Sequence, residues 1–369
     1  MLSNEIGQLL KGEVYLRRPE IDRRLFEILK KLSVYHFENC PQYRILCEKR
    51  RINLACMESI EELVYLPTAI FKEVLLRSVP EAVVFREVQS SATTSGRPSR
   101  IALDKNTSMR WSLSMQRMLS NRIGSDRYKT LILDDESALD RTGVVSARAS
   151  MTRSILFSAR EVKTCLYSKE DLLHLDFSKL EEFFVNAGNG DGQMLFGFTY
   201  ILYMYVIKPL LTAGEVFDLP NLKIVHAGGW KKLQSLKVSE EQLKEDCEKV
   251  FGVEPHNVID IYGFSEQGGM LYPTCEQGVR HIPAWGEVIC RNPMTLEPQP
   301  DGEEGLMQFL TPIQTSYPGH SVLTEDVGKL TEENDCPCGR GGKTFKIIGR
   351  SQDALEERGC GDIMANMFA

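Results

Sequence analysis

Apolar positions recur at helical spacing through the first 80 residues. IDRRLFEILKKLSVYHF predicts one amphipathic helix, and IEELVYLPTAIFKEVLL predicts helix interrupted at Pro67. Beyond residue 80 the pattern alternates. Short β-rich runs occur at Lys129–Leu133, Ser154–Phe157, Leu222–Val225 and Val258–Ile261. Among them lies VSEEQLKEDCEKVFG, a helical stretch whose Ser239 and Gln242 have capping-box spacing. The longest apolar run, Met194 to Ile207, has about 14 residues where a bilayer needs about 20, so it predicts a buried helix and no membrane span. Around Met294–Gly305, NPMTLEPQPDGEEG is rich in Pro, Gly and acids and predicts a turn-filled β region. Strand–helix alternation of this kind predicts an α/β fold with ligands held by loops beyond the strand ends. The chain divides into a helical part over 1–80, an α/β core over 81–349 that is β-rich near 284–349, and a short tail over 350–369.

Composition adds limits. With 42% hydrophobic and 26% charged residues the 369-residue chain has the make-up of a folded protein. A formal net charge of −7 gives no general reason to expect nucleic acid as a partner. Basic residues gather only locally, as at Arg97, Arg100 and Lys105, on the scale of a phosphate pocket. The opening MLSNEIGQLLKGEVYLRR lacks the basic-then-apolar order of a signal peptide, so a cytoplasmic location and reduced cysteines are expected. Ten cysteines then point to metal ligation or nucleophilic chemistry rather than disulfides.

Four segments carry candidate chemistry. In SSATTSGRPSR, Ser90 to Arg100, hydroxyls and small residues let a loop wrap a polyphosphate, although a plain turn has the same composition. In DIYGFSEQGG, Asp260 to Gly269, a strand-end aromatic can stack on a purine, a serine can bind phosphate and a glutamate can hold Mg²⁺; a strand with a polar turn would read alike. In VHAGGW, Val225 to Trp230, two glycines permit close approach of a flat ligand, and Lys231 and Lys232 follow. The tail holds LTEDVGKL, CPCGRGGKTFKIIGR and SQDALEERGCGD, in which Asp326 and Arg350 suit the two hydroxyls of a ribose. His226 and the apolar run before it fit either an acyl pocket or ordinary core, with core the better expectation.

In this order the segments resemble the adenylate-forming superfamily of acyl-CoA synthetases. Within it they are most similar to the acyl-protein synthetase (LuxE-like) family of bacterial luminescence, with phenylacetate–CoA ligases related. YGFSEQGG, HAGGWK, LTEDVGKL, CPCGR, ERGC and FKEVLL carry the likeness over nearly the whole chain. The resemblance implies a large N-terminal adenylation domain that uses ATP and Mg²⁺ to activate a carboxylic acid, a fatty acid above all. It implies that Ser91, Thr93, Thr94, Ser95 and Ser265 line the phosphates, Gly228, Gly229 and Tyr262 hold the adenine, Glu266 holds magnesium, and Asp326 and Arg350 hold the ribose. It also implies that Cys360 accepts the acyl group as a thioester and passes it to a partner protein, a reductase or a carrier. A thiolate near Arg358 would have a lowered pKa. Two departures stand out: Ala92 or Thr93 replaces a usual loop glycine, and the superfamily's C-terminal lid domain, donor of a catalytic lysine, is expected to be absent. Lys231 or Lys232 is the candidate substitute for that lysine.

Cys275, His281, Cys336 and Cys338 amount to three thiols and an imidazole, a complete tetrahedral set for structural Zn²⁺, and phenylacetate–CoA ligases carry a similar cluster. The alternative expectations are transfer to coenzyme A or a carrier thiol with no acyl-enzyme, and a non-catalytic nucleotide-binding protein with a degenerate phosphate loop.

Overall fold

The computed structural model describes residues 2–16, 19–90, 97–139, 145–146, 151–153, 155–170, 172–185, 189–230, 235–331 and 336–350. The chain forms two compact units. The first takes in Met1–Met115, Phe264–Met270 and Val279–Ala369, and the second Gln116–Gly263 and Leu271–Gly278. No helix among the described residues is long and apolar enough to cross a membrane.

The first unit opens with helices Leu2–Lys11, Pro19–Asn39 and Pro41–Lys49. The second of them buries Leu25, Ile28, Leu29 and Leu32, the stripe a 3.6-residue repeat produces. Five strands then pair as neighbours in the order Arg280–His281, Thr344–Arg350, Ser321–Thr331, Gly305–Leu310 and Glu287–Arg291, all antiparallel. Helix is interrupted at Pro67, as expected, with only the 3-10 turn Ile60–Glu62 before it and the short helix Ile70–Glu73 after it. Leu66–Pro67 is a two-residue strand parallel to Val322–Leu323, because a proline that cannot donate is tolerated at a sheet edge but not inside a helix. An antiparallel pair, Val84–Gln89 with Arg100–Asp104, holds the ends of the Ser/Thr-rich loop.

The second unit is built on a mostly parallel sheet. Its order is Tyr272–Pro273, Val258–Tyr262, Lys223–Ala227, Gln193–Phe198, Tyr128–Ile132 and Ala159–Thr164, and only the first of these is antiparallel to its neighbour. Three expected strands form within a residue or two of their expected limits, but Ser154–Phe157 does not. The charged sequence Ala159–Thr164 is the strand there, half-exposed at the edge of the sheet. The apolar run Met194–Ile207 is also not one helix: Gln193–Phe198 is a central strand, and helix begins at Thr199. A strand covered on both faces has no polar alternation, so its sequence looks like that of a buried helix. Gly197 lets the neighbouring strand pack closely, since a Cβ there would lie 2.7 Å from Leu133 Cβ. Helix Glu240–Phe251 connects two parallel strands; Ser239 Oγ accepts its Gln242 N–H at 3.1 Å and left-handed Gly252 ends it. It buries Leu243, Val250 and Phe251 in the same hydrophobic cluster as Ile224 and Leu195, each worth about 1.5–3 kcal/mol.

The first unit also buries a histidine pair. The rings of His36 and His320 stack 4.8 Å apart at 29°, and both are fully buried. Ser33 gives its one proton to the Leu29 carbonyl (3.0 Å), so His320 Nε2–H donates to Ser33 Oγ at 2.9 Å. The Gln314 carbonyl can only accept, so His36 Nε2–H donates to it (3.1 Å) and Nδ1 accepts from Ser78 Oγ (2.7 Å). Both rings are therefore neutral, faced by Tyr43 and Tyr35 rather than by a carboxylate. Burial pushes His320 down to about 3, and burial with the neighbouring His320 pushes His36 well below its usual value. The unfolded chain takes up these protons near pH 6.5 and the folded chain does not, so stability is complete above pH 6.5 and falls as pH drops toward 3. Each imidazole is expected to contribute a slope of about 1.4 kcal/mol per pH unit. Urea unfolding between pH 4.5 and 6 should show that slope reduced in His320→Gln; an unaltered slope would contradict the assignment.

Candidate functional site

In the first unit the segment Ser265–Gln267 is a single 3-10 turn. Glu266 is only 6% exposed, yet its carboxylate Oε1 accepts a hydrogen bond from Ser99 Oγ at 2.5 Å. Its backbone carbonyl accepts from Tyr317 Oη at 2.7 Å. The next residue, Gln267, donates from Nε2 to the carbonyls of Phe309 and Gly319, both at 2.9 Å. Gly268 and Gly269 pass against Trp111, where a Cβ at Gly268 would lie 2.5 Å from the indole and one at Gly269 2.6 Å from Ile313 Cδ1. These contacts hold Glu266 in one place. Burial raises its pKa, and the Ser99 hydrogen bond and Lys72 oppose that rise. Among the described residues Glu266 forms no ion pair, and a carboxylate buried in that way is costly in a merely structural role but suits a group that holds a cation.

The Ser/Thr-rich loop is closed at its stem by Ser90 N–H to the Ser99 carbonyl (3.0 Å) and Ser99 N–H to Ser90 Oγ (2.7 Å). Ser91, Thr93, Thr94 and Ser95, like Lys231 and Cys360, lie outside the described residues. The flanking arginines each meet a carboxylate: Arg97 pairs with Glu73 at 2.9 Å and Arg100 with Glu87 at 2.9 Å. Asp326 and Arg350 are directly opposed across antiparallel strands. The guanidinium makes its shorter contact with Glu325, 2.8 Å, and lies 3.9 Å from Asp326. The acidic neighbour at 325 was not singled out in the sequence, and the strand register is what supplies it.

In the second unit the parallel strands Lys223–Ala227 and Val258–Tyr262 end side by side, with Ala227 opposite Ile261. Gly228 follows at φ +75°, a conformation that favours glycine, and a Cβ there would come within 3.1 Å of the Phe198 ring. Gly229 faces open space. Tyr262 ends the adjoining strand, its ring 6.3 Å from that of Tyr272. The carboxyl ends of these two strands thus carry Gly228, Gly229 and Tyr262, where α/β sheets hold ligands. His226 is buried, with Nδ1 2.9 Å from Thr199 Oγ1 and 3.5 Å from Asp260.

Three of the metal-ligand candidates meet within the first unit. The ligand atoms of His281, Cys336 and Cys338 lie within 4.8 Å of one another, with Cys338 Sγ 3.2 Å from His281 Nε2. His281 Nδ1 lies 3.4 Å from the Gly341 carbonyl, which can only accept, so Nε2 keeps its lone pair for a metal. Burial pushes the Cys338 thiol up, but the Arg340 backbone, Cys336 and the Arg340 guanidinium together carry it below its usual value. The turns Cys275–Gly278 and Cys336–Gly339 share one construction. In each the glycine N–H donates to the cysteine carbonyl, at 2.9 and 3.0 Å, with glycine φ of +72° and +79°. Within the first of them Gln277 N–H also reaches Cys275 Sγ at 3.4 Å.

The chain is similar to known proteins over most of its length. The family model described as "Acyl-protein synthetase, LuxE" matches residues 20–369. A long-chain-fatty-acid–luciferin-component ligase of Vibrio harveyi is 26% identical over 348 residues, 92% of this chain and 87% of the relative. One of Aliivibrio fischeri is 25% identical over 353 residues, 93% and 88% of the two chains. Among solved structures, an open conformation of 2-hydroxyisobutyryl-CoA ligase in complex with 2-HIB-AMP and CoA superposes with a TM-score of 0.69 at 15% identity, over 92% of this chain and 77% of the other. At that identity the likeness establishes the fold. With a family match from residue 20 onward on an adenylate-forming fold, the chain belongs to the LuxE acyl-protein synthetase family and is an acid–thiol ligase.

Proposed function

We propose that this chain activates a long-chain fatty acid with MgATP as its acyl-adenylate, then moves the acyl group to Cys360 and on to a thiol of a partner protein. The observation that carries the reading is Glu266, buried and held at the stem of a Ser/Thr-rich loop by Ser99. The names borne by the relatives at 26% and 25% identity support the choice of acid. In the first step a carboxylate oxygen attacks the α-phosphorus and pyrophosphate leaves. In the second the Cys360 thiolate attacks the acyl carbonyl and AMP leaves; in the third the partner's thiol replaces that of Cys360. Gly228, Gly229 and Tyr262 would bind the adenine, Asp326 and Arg350 the ribose, and Ser91, Thr93, Thr94, Ser95 and Ser265 the phosphates. Lys231 would face the developing charge. Glu266 would hold Mg²⁺, which when bound neutralises polyphosphate charge. The protein's part is positioning and charge stabilisation, since the nucleophile is the substrate's own carboxylate. A screen of pyrophosphate release over fatty, aromatic and amino acids tests this. Release with long-chain fatty acids is expected, and ATP binding without release for any acid would overturn it.

Cys275, His281, Cys336 and Cys338 are read in the same way as a structural zinc site. Support comes from the convergence of the last three and from the matching turn that carries Cys275. Purified protein is expected to contain about one equivalent of zinc, and its removal by a chelator should lower the melting temperature. Folded protein holding less than about 0.2 equivalents would refute the site.

A further inference from the structure

Ser99 touches two of the candidate segments at once. Its backbone closes the stem of the Ser/Thr-rich loop against Ser90, and its fully buried side chain reaches Glu266, 167 residues away. Tyr317 and Gln267 already fix the backbone at Glu266, which leaves the side-chain torsions as the remaining freedom. A serine has one proton to give. Given to Oε1, it fixes the plane of the carboxylate. Among the described residues no lysine or arginine forms an ion pair with Glu266, so this hydroxyl is its side-chain anchor.

We propose that Ser99 is a positioning residue, tying the aim of the Glu266 carboxylate to the stem of the phosphate loop so that the loop and the metal-holding group are set as one piece. The proposal rests on the reading of Glu266 as the holder of the divalent cation. A hydrogen bond to a charged acceptor is among the stronger ones, so losing it should weaken cation binding on the order of tenfold.

The test measures Mn²⁺ binding by electron paramagnetic resonance, on the full chain with a non-hydrolysable ATP analogue, alongside the Mg²⁺ dependence of pyrophosphate exchange. Ser99→Ala is expected to raise the half-saturating concentration of both cations about tenfold, and Ser99→Thr, which keeps the donor, to stay within about threefold. If Ser99→Ala only melts earlier, with Mn²⁺ affinity as in wild type, the hydroxyl is structural and the proposal fails. If Ser99→Ala does not fold, Ser99→Cys, a weak donor, takes its place, and wild-type Mn²⁺ affinity in that variant overturns the idea equally. Glu266→Gln, run in parallel, separates the two levels. Weakened binding there with unchanged Ser99→Ala sinks this proposal alone, whereas unchanged binding in Glu266→Gln removes the metal role of Glu266 and this inference with it.

Discussion

Glutamine in place of Glu266 is expected to lower acid-dependent pyrophosphate exchange by a hundredfold or more, on the order expected when a preorganised charge-stabilising group is lost, and to leave the melting temperature unchanged or raised. The two halves of the expectation have one cause. A carboxylate 6% exposed is held out of water at a cost that the neutral Ser99 donor offsets only in part. Glutamine has nearly the same shape, and its Oε1 can accept the same hydrogen bond. The substitution therefore removes a buried charge without orphaning a partner, which is neutral or favourable for folding. Leucine would be a poorer probe, because it would strand the Ser99 hydroxyl. Thermal melts and exchange rates on the same preparation check both halves. Exchange at the wild-type rate would remove Glu266 from the chemistry. A large loss of stability would instead show a structural carboxylate.

The same residue shows how far the sequence could be read. Tyr-Gly-Phe-Ser-Glu was legible because its chemistry is local: a strand, a turn and a carboxylate in five consecutive positions. What fixes that carboxylate was not legible. Ser99 lies in the quoted loop but its partner is 167 positions away, and Tyr317 and Gln267 act through backbone carbonyls that any residue carries. Arg97 and Arg100 show the same limit. Their charge suggested phosphate, and only the fold reveals Glu73 and Glu87 beside them. For the fold, strands with polar flanks were found where expected, as at Val258–Tyr262. Gln193–Phe198 was missed because a strand buried on both faces offers no alternation, and Leu66–Pro67 because a two-residue pairing has no pattern at all. Asp326 and Arg350, 24 residues apart, were expected to act together, and the register of two antiparallel strands sets them opposite one another.

Cys360→Ser is expected to abolish the covalent acyl-enzyme entirely while leaving acid-dependent pyrophosphate exchange within about twofold of wild type, since adenylation precedes and does not use the thiol. Most of the other cysteines are poor acyl acceptors. Burial pushes Cys47 up to about 11 and Cys165 up to about 12, and it raises Cys40, Cys247 and Cys290 as well, so none of these offers thiolate near neutral pH. Cys275, Cys336 and Cys338 are the proposed zinc ligands. Cys56 is exposed and accepts a hydrogen bond from Asn53 Nδ2 at 2.9 Å, which makes it the one rival acceptor among the described residues. An unactivated serine hydroxyl is too weak a nucleophile to take the acyl group from AMP. Radiolabelled fatty acid with ATP, followed by hydroxylamine treatment and peptide mass spectrometry, reads the outcome directly. A hydroxylamine-labile label that persists in Cys360→Ser and disappears in Cys56→Ser would move the acceptor to the other end of the chain. If no covalent adduct forms on the wild-type protein while exchange proceeds, the acyl-adenylate is delivered straight to an external thiol and the Cys360 step is wrong.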